Sequence, residues 1–163
     1  MLNKVDLLSL IPAQELFPLI EERLRDGQDV VISARGNSMF PLIRGDKDRV
    51  KLTAASYEGI QKGDVTLIRR DDGAYVIHRV CKKTPVSFYI VGDRQQDIEG
   101  PLRPGQLIAM VSEVYRGSYT IRRGALLWTL FAHIWLFLRP VRRPVLAALF
   151  ALRSVIKHQS NHK

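Results

Sequence analysis

The pattern of apolar and polar positions divides the chain into three stretches. Between Pro12 and Arg25, the apolar residues Phe17, Leu19, Ile20 and Leu24 recur at helical spacing among charged ones, which predicts an amphipathic helix ended by Asp26-Gly27. From Asp29 onward the period drops to two. Short runs over Asp29–Ala34, Asp48–Leu52, Asp64–Arg69, Ala74–Val80, Ser87–Val91 and Leu107–Tyr115 are separated by Gly-Asp, Asp-Gly and Pro-Gly turns and read as strands. After Arg122-Arg123-Gly124 the pattern changes again. An apolar run, Ala125–Leu138, carries Trp128, Phe131, Trp135 and Phe137; the basic stretch Arg139-Pro140-Val141-Arg142-Arg143-Pro144 follows, then a second apolar run, Val145–Leu152. The chain therefore reads as mainly β, a small twisted sheet with helical ends. Its divisions fall at residues 1–27 for the N-terminal helical segment, 28–116 for the β domain and 117–163 for a basic, apolar C-terminal segment. No internal repeat or low-complexity linker is present.

Charge sharpens this division. The formal net charge is +9 over 163 residues, yet residues 114–163 hold nine Lys/Arg and no Asp/Glu, so the body is balanced and the tail carries the whole excess. Neither apolar run of the tail reaches the roughly 20 residues that span a bilayer as a helix. Two short helices at an anionic membrane surface, or a shallow hairpin, fit tryptophans set beside arginines; a core helix packed on the sheet is the alternative for Ala125–Leu138. So apolar a segment is unlike a phosphate-binding arm, and no nucleic-acid partner is expected. The start of the chain lacks the basic, uninterrupted apolar stretch of a signal peptide or anchor, which favours the cytoplasmic side of a membrane. One cysteine excludes an internal disulfide.

Candidate chemistry lies in Gly36-Asn37-Ser38-Met39-Phe40-Pro41, followed forty positions after the serine by Val76-Ile77-His78-Arg79-Val80. Gly36 lets a backbone approach a bound peptide, Met39 can bury sideways to hold the turn, and Pro41 ends any helix. A serine needs a base whose pKa lies near the working pH, and imidazole fits; the imidazole then needs an acceptor on its second nitrogen. Asp93 and Asp97 are the candidate acceptors, with Glu99 a further one. Alternation places His78 on the face of Val76 and Val80 and turns Cys81 away from it, so a Cys-His pair is geometrically poor. His133 lies in an apolar run, and His158 and His162 in a polar tail, with no metal-like spacing between them. No metal or other cofactor is expected.

Four segments occur in order: the serine segment, Lys62-Gly63-Asp64-Val65-Thr66-Leu67-Ile68, His78-Arg79-Val80, and Phe88-Tyr89-Ile90-Val91-Gly92-Asp93. As a set, over about residues 28–115, they resemble the clan that joins signal peptidases to LexA-type repressor proteases. The histidine before Arg79-Val80 resembles the endoplasmic-reticulum type, in which it stands where most bacterial enzymes carry lysine. The resemblance implies a small twisted β fold and a serine endopeptidase that cuts a signal or leader peptide after a small residue. It implies Ser38 as nucleophile, His78 as base, and an acid a few positions beyond the Gly-Asp pair, which favours Asp97 over Asp93. Many signal peptidases add a serine hydroxyl to the oxyanion site two positions before the nucleophile. Here Gly36 stands there, as in LexA-like proteins, so the backbone N–H of Ser38 is the expected donor, with Gly36, Asn37 and Met39 positioning the turn.

Two alternatives differ in class. A LexA-like regulator that cleaves itself and binds DNA needs a scissile Ala-Gly or Cys-Gly upstream of the serine, and residues 1–37 contain neither. A non-catalytic binding module of the same fold is the other. The expected partners are a peptide or preprotein substrate and an anionic membrane surface.

Overall fold

The strand Val65–Arg69 explains much of the architecture, because its consecutive residues Leu67 and Ile68 are both fully buried and enter different apolar clusters. A strand covered on both faces carries apolar residues on both, and Val65, Leu67 and Ile68 are all fully buried around a buried Thr66. The computed structural model of the chain describes residues 13–141 and residue 144. Helix α1 spans Ala13–Arg25, and eight strands follow: β1 Val30–Ser33, β2 Arg49–Ala54, β3 Val65–Arg69, β4 Tyr75–Lys83, β5 Phe88–Val91, β6 Glu99–Leu102, β7 Leu107–Arg116 and β8 Tyr119–Arg122. Helix α2, Leu126–Phe137, closes the described chain together with a short turn at Arg139–Val141. All eight strands belong to one antiparallel sheet in the order β1-β2-β7-β3-β4-β5-β6, with β8 folded back onto β7. The protein is mainly β with two helices, as the alternation predicts.

One cluster joins Ile20 and Leu24 of α1 to Val50, Leu52, Val111 and Val114. The other gathers Ile68, Val80, Phe88, Ile90 and Leu102. Burying each such side chain contributes about 1.5–3 kcal/mol, so the two clusters hold both ends of the sheet. Strands β6 and β8 escape the sequence pattern for a physical reason. Glu99-Gly100-Pro101-Leu102 has a proline that cannot donate to a ladder, which an edge strand tolerates, and Tyr119–Arg122 is a short strand with three of four residues exposed.

The segment 117–163 does not begin as a separate appendage. Strand β8 pairs with β7 from Arg116↔Tyr119 onward, so a boundary at residue 116 falls inside a hairpin. Helix α2 then lies on the body and buries Trp128, Ala132 and Trp135, which recur at i, i+4 and i+7. The indole N–H of Trp135 donates to the Asp93 carbonyl at 2.7 Å, and Arg123 pairs with Asp64 at 2.7 Å. Ala125–Leu138 is thus a packed helix on one side. On the other it displays Leu126, Leu127, Leu130, Ile134 and Phe137, of which Leu126 and Phe137 are more than four-fifths exposed. Among the described residues no helix is long and apolar enough to cross a membrane. The apolar run Val145–Leu152, His158 and His162 lie outside the described residues.

Candidate active site

The Ser38 turn connects β1 to β2 and is held from below. Met39, Leu42 and Ile43 bury into the larger cluster, while Ser38 stays half-buried and Gly36 and Asn37 face out. The Ile43 N–H donates to the Met39 carbonyl at 2.9 Å and the Phe40 N–H to Asn37 at 3.2 Å, giving one helical turn after the serine. The Phe40–Pro41 peptide is cis. Gly36 takes φ +71°, and a Cβ at Gly45 would meet the Gly36 carbonyl oxygen at 1.9 Å, so the two ends of the turn touch backbone to backbone.

Buried Asp48 anchors the whole. It accepts hydrogen bonds from the Arg44 N–H and from the guanidinium groups of Arg44 and Arg116, and Arg116 also donates to the carbonyls of Pro41 and Leu42. Burial works to raise the Asp48 pKa, but these donors together outweigh it and hold the carboxyl below its ordinary value. Among the described residues the Ser38 N–H enters none of the turn's backbone hydrogen bonds.

His78 comes from the middle of β4, opposite Thr66 of β3. It is only 6 % exposed, and its Nδ1 is buried with no hydrogen-bond partner. Leaving such an atom unpaired costs about 1–3 kcal/mol. Desolvation pushes the His78 pKa below its ordinary value, against a raising influence from Glu99, while Arg70 pushes it down further; the imidazole is a neutral base at pH 7.

Gly92 meets the serine turn. The β4–β5 register pairs Arg79 with Val91, so Gly92 comes directly after the partner of His78's chain neighbour. A Cβ at Gly92 would meet the Ser38 carbonyl oxygen at 2.9 Å, and the neighbouring Arg94 N–H donates to that same oxygen at 2.8 Å. The absence of a side chain at residue 92 is what lets the Ser38 carbonyl come this close to the end of β5.

The three carboxylates have separate fates. Asp93, expected as a possible partner of His78, instead forms a fully buried two-pronged pair with Arg79 at 2.7 and 2.6 Å on the opposite face of β4. Asp97 is exposed, and the charges that act on His78 are Glu99 and Arg70. Glu99 lies in β6 opposite Ile90 and is gripped by Arg70 at 2.6 and 2.5 Å; those hydrogen bonds are the main reason its pKa is lowered. Of the three acids, Glu99 is thus the one in electrostatic contact with His78, although it does not bond Nδ1. Arg70 and Gly92 were not singled out by sequence. Gly92 lay within a recognised segment, but nothing local marks Arg70, which meets Glu99 only because β6 returns across the sheet.

Cys81 donates to the Tyr89 carbonyl, away from His78, and His133 Nδ1 donates to the Thr129 carbonyl at 2.8 Å. Among the described residues no group of His, Cys, Asp and Glu is placed to hold a metal ion. No family model matches the chain, and no curated protein or solved structure shows significant similarity to it. A half-buried hydroxyl in a fixed turn, a buried neutral imidazole on β4 and a carboxylate within its field are groups of the kind that nucleophilic acyl transfer uses.

Proposed function

We propose that this protein is a serine endopeptidase of signal-peptidase type, with Ser38 as nucleophile and His78 as general base. The observation that carries the reading is the approach of the Ser38 carbonyl to Gly92, one residue past the β5 partner of Arg79, with His78 buried, neutral and unpaired at Nδ1. Buried polar groups are ordinarily hydrogen-bonded, and a catalytic role is one reason for an exception. In the proposed reaction His78 takes the Ser38 hydroxyl proton as Oγ attacks the scissile carbonyl, then gives that proton to the leaving amine. The Ser38 N–H stabilises the oxyanion, and Glu99 favours the transient imidazolium. Arg70 holds Glu99 in place. The eight-stranded sheet is compatible with the fold shared by signal peptidases and LexA-type proteases.

The substrate is a peptide or preprotein carrying a leader or signal segment, cut after a small residue. The protein works at an anionic membrane surface, which the exposed apolar side of α2 and the acid-free basic tail support. The test is to incubate purified full-length protein, with and without detergent, with the secreted and leader-peptide products of its source cell and to map the cut sites. Cleavage that disappears in both Ser38→Ala and His78→Ala supports the reading. Equal cleavage by either variant, or none by the native protein in any arm, leaves a binding module of this fold.

A further inference from the structure

On the far side of β4 from His78, a cleft of about 580 Å³ opens between the C-terminal turn of α2 and the end of that strand. Three cations line it, Lys62, Lys82 and Arg139, together with apolar Ile98, Leu136 and Phe137, and no carboxylate does. Among the described residues neither lysine enters an ion pair; Lys82 stands 5.2 Å from the centre of the Tyr89 ring, and Arg139 donates one N–H to the Gln96 carbonyl. Three cations held together without an acid repel one another until an anion neutralises them. The cleft also has a direction. Leu126, Leu130, Ile134, Phe137 and Val141 form an exposed apolar stripe down one side of α2 and the turn after it, and Phe137 belongs to both stripe and cleft.

We propose that this cleft binds the phosphate headgroup of an anionic phospholipid while the stripe of α2 sits in the adjoining acyl layer. The proposal rests on the membrane-surface part of the reading above and deepens it, since it names the lipid class and the residues that select it. Three observations favour a bilayer over a partner protein. The stripe is the outer side of a helix, convex rather than grooved, and a flat interface covers a convex surface along its whole length. Cations stand at the end of the stripe, where headgroups lie above acyl chains. The sequence beyond Val141 continues with Arg142 and Arg143 and then the apolar Val145–Leu152, with no acidic residue to oppose an anionic surface. Because α2 is tied to the body through Trp128, Ala132 and Trp135, a bilayer held there would set the orientation of the Ser38–His78 site to the membrane plane.

The test is co-sedimentation of the full-length protein with vesicles of phosphatidylglycerol and phosphatidylcholine, or of phosphatidylcholine alone, with peptide cleavage measured on the same samples. The expected result is binding to the anionic vesicles that Lys62→Gln/Lys82→Gln weakens about 30-fold, at ~1 kcal/mol per cation. Leu130→Ser/Phe137→Ser, on the exposed side of α2, should weaken binding to anionic vesicles as well, and both double variants should keep the native melting temperature and the native cleavage of soluble peptides. Equal binding to both vesicle types, or unchanged binding of the lysine variant, overturns headgroup recognition. Binding of inorganic phosphate by the native protein, seen by calorimetry in the absence of vesicle binding, makes the cleft a site for soluble anions, and capture of an acidic peptide in place of vesicles makes it a protein-docking site; each overturns the proposal. Loss of lipid binding with cleavage intact leaves the peptidase reading standing, and lipid binding retained in Ser38→Ala separates the two in the other direction.

Discussion

His78 and Arg79 are neighbours in β4, and the strand's alternation sends them to opposite faces. Arg79 is wholly buried and fully engaged: Asp93 grips it with both oxygens, the Gly63 carbonyl accepts at 2.6 Å, and the Phe131 ring lies 5.6 Å from it. His78 is almost as buried, yet one ring nitrogen has no partner, and Glu99, the carboxylate that acts on it, is occupied by Arg70. The difference separates two uses of a buried polar group. A satisfied one fixes the packing of α2 over the sheet; an unsatisfied one lowers stability, a cost that the proposed role of His78 as base would account for.

The comparison breaks most sharply if activity and stability fail to separate. Ser38→Ala and His78→Ala should each lower cleavage by about 10⁴-fold or more while leaving the melting temperature within a few degrees. A large loss of stability in His78→Ala would show that the ring serves packing. Arg79→Met should do the reverse. Removing one partner of a buried pair costs about 3–5 kcal/mol, so denaturant unfolding should show a collapse in stability, with α2 loosened because Asp93 also holds Trp135. An unaltered midpoint would mean the pair contributes nothing to the packing.

A smaller effect tests which acid serves the histidine. Glu99→Gln should slow cleavage about tenfold, the effect of losing roughly 1.4 kcal/mol of imidazolium stabilisation, and Asp97→Asn should leave it unchanged. The opposite order would return the role to Asp97.

The smallest effect is a shift in pH dependence. Burial lowers the His78 pKa, so the acid limb of the rate profile should fall below the ordinary value of 6.5. As pH drops through about 6.5 the unfolded chain takes up a proton that folded His78 still refuses, so stability should decline with pH in that window, and His78→Gln should flatten the decline. Glu99 raises this pKa and Arg70 lowers it. Glu99→Gln should therefore move the acid limb down and Arg70→Met should move it up, and shifts in the same direction would remove both groups from the site.

Much of this was legible in the sequence because it is local. Alternation located β1 through β5 and β7 to within a few residues, and the turn chemistry of Gly36 and Pro41 marked the serine loop. The face of His78 followed from counting in twos. What was not legible depends on distant return of the chain. Asp93 and Glu99 are six residues apart, and nothing in their neighbourhoods tells which meets Arg79 and which meets Arg70; the β5–β6 pairing decides it. The apolar richness of Ala125–Leu138 likewise concealed that one side of the helix is packed and the other is bare, since a helix apolar all round gives no stripe to read.

The two tryptophans of the chain, Trp128 and Trp135, both lie on the packed side of α2, with Trp135 stacked on Phe131 at 5.4 Å. Indole emission from this protein is consequently a signal from a single helix. Lifting α2 from the body would wet both indoles and move their emission to the red while the sheet kept its circular dichroism, whereas melting of the sheet would change both at once. Fluorescence can thus time the seating of α2 separately from the folding of the strands beneath it, without any label.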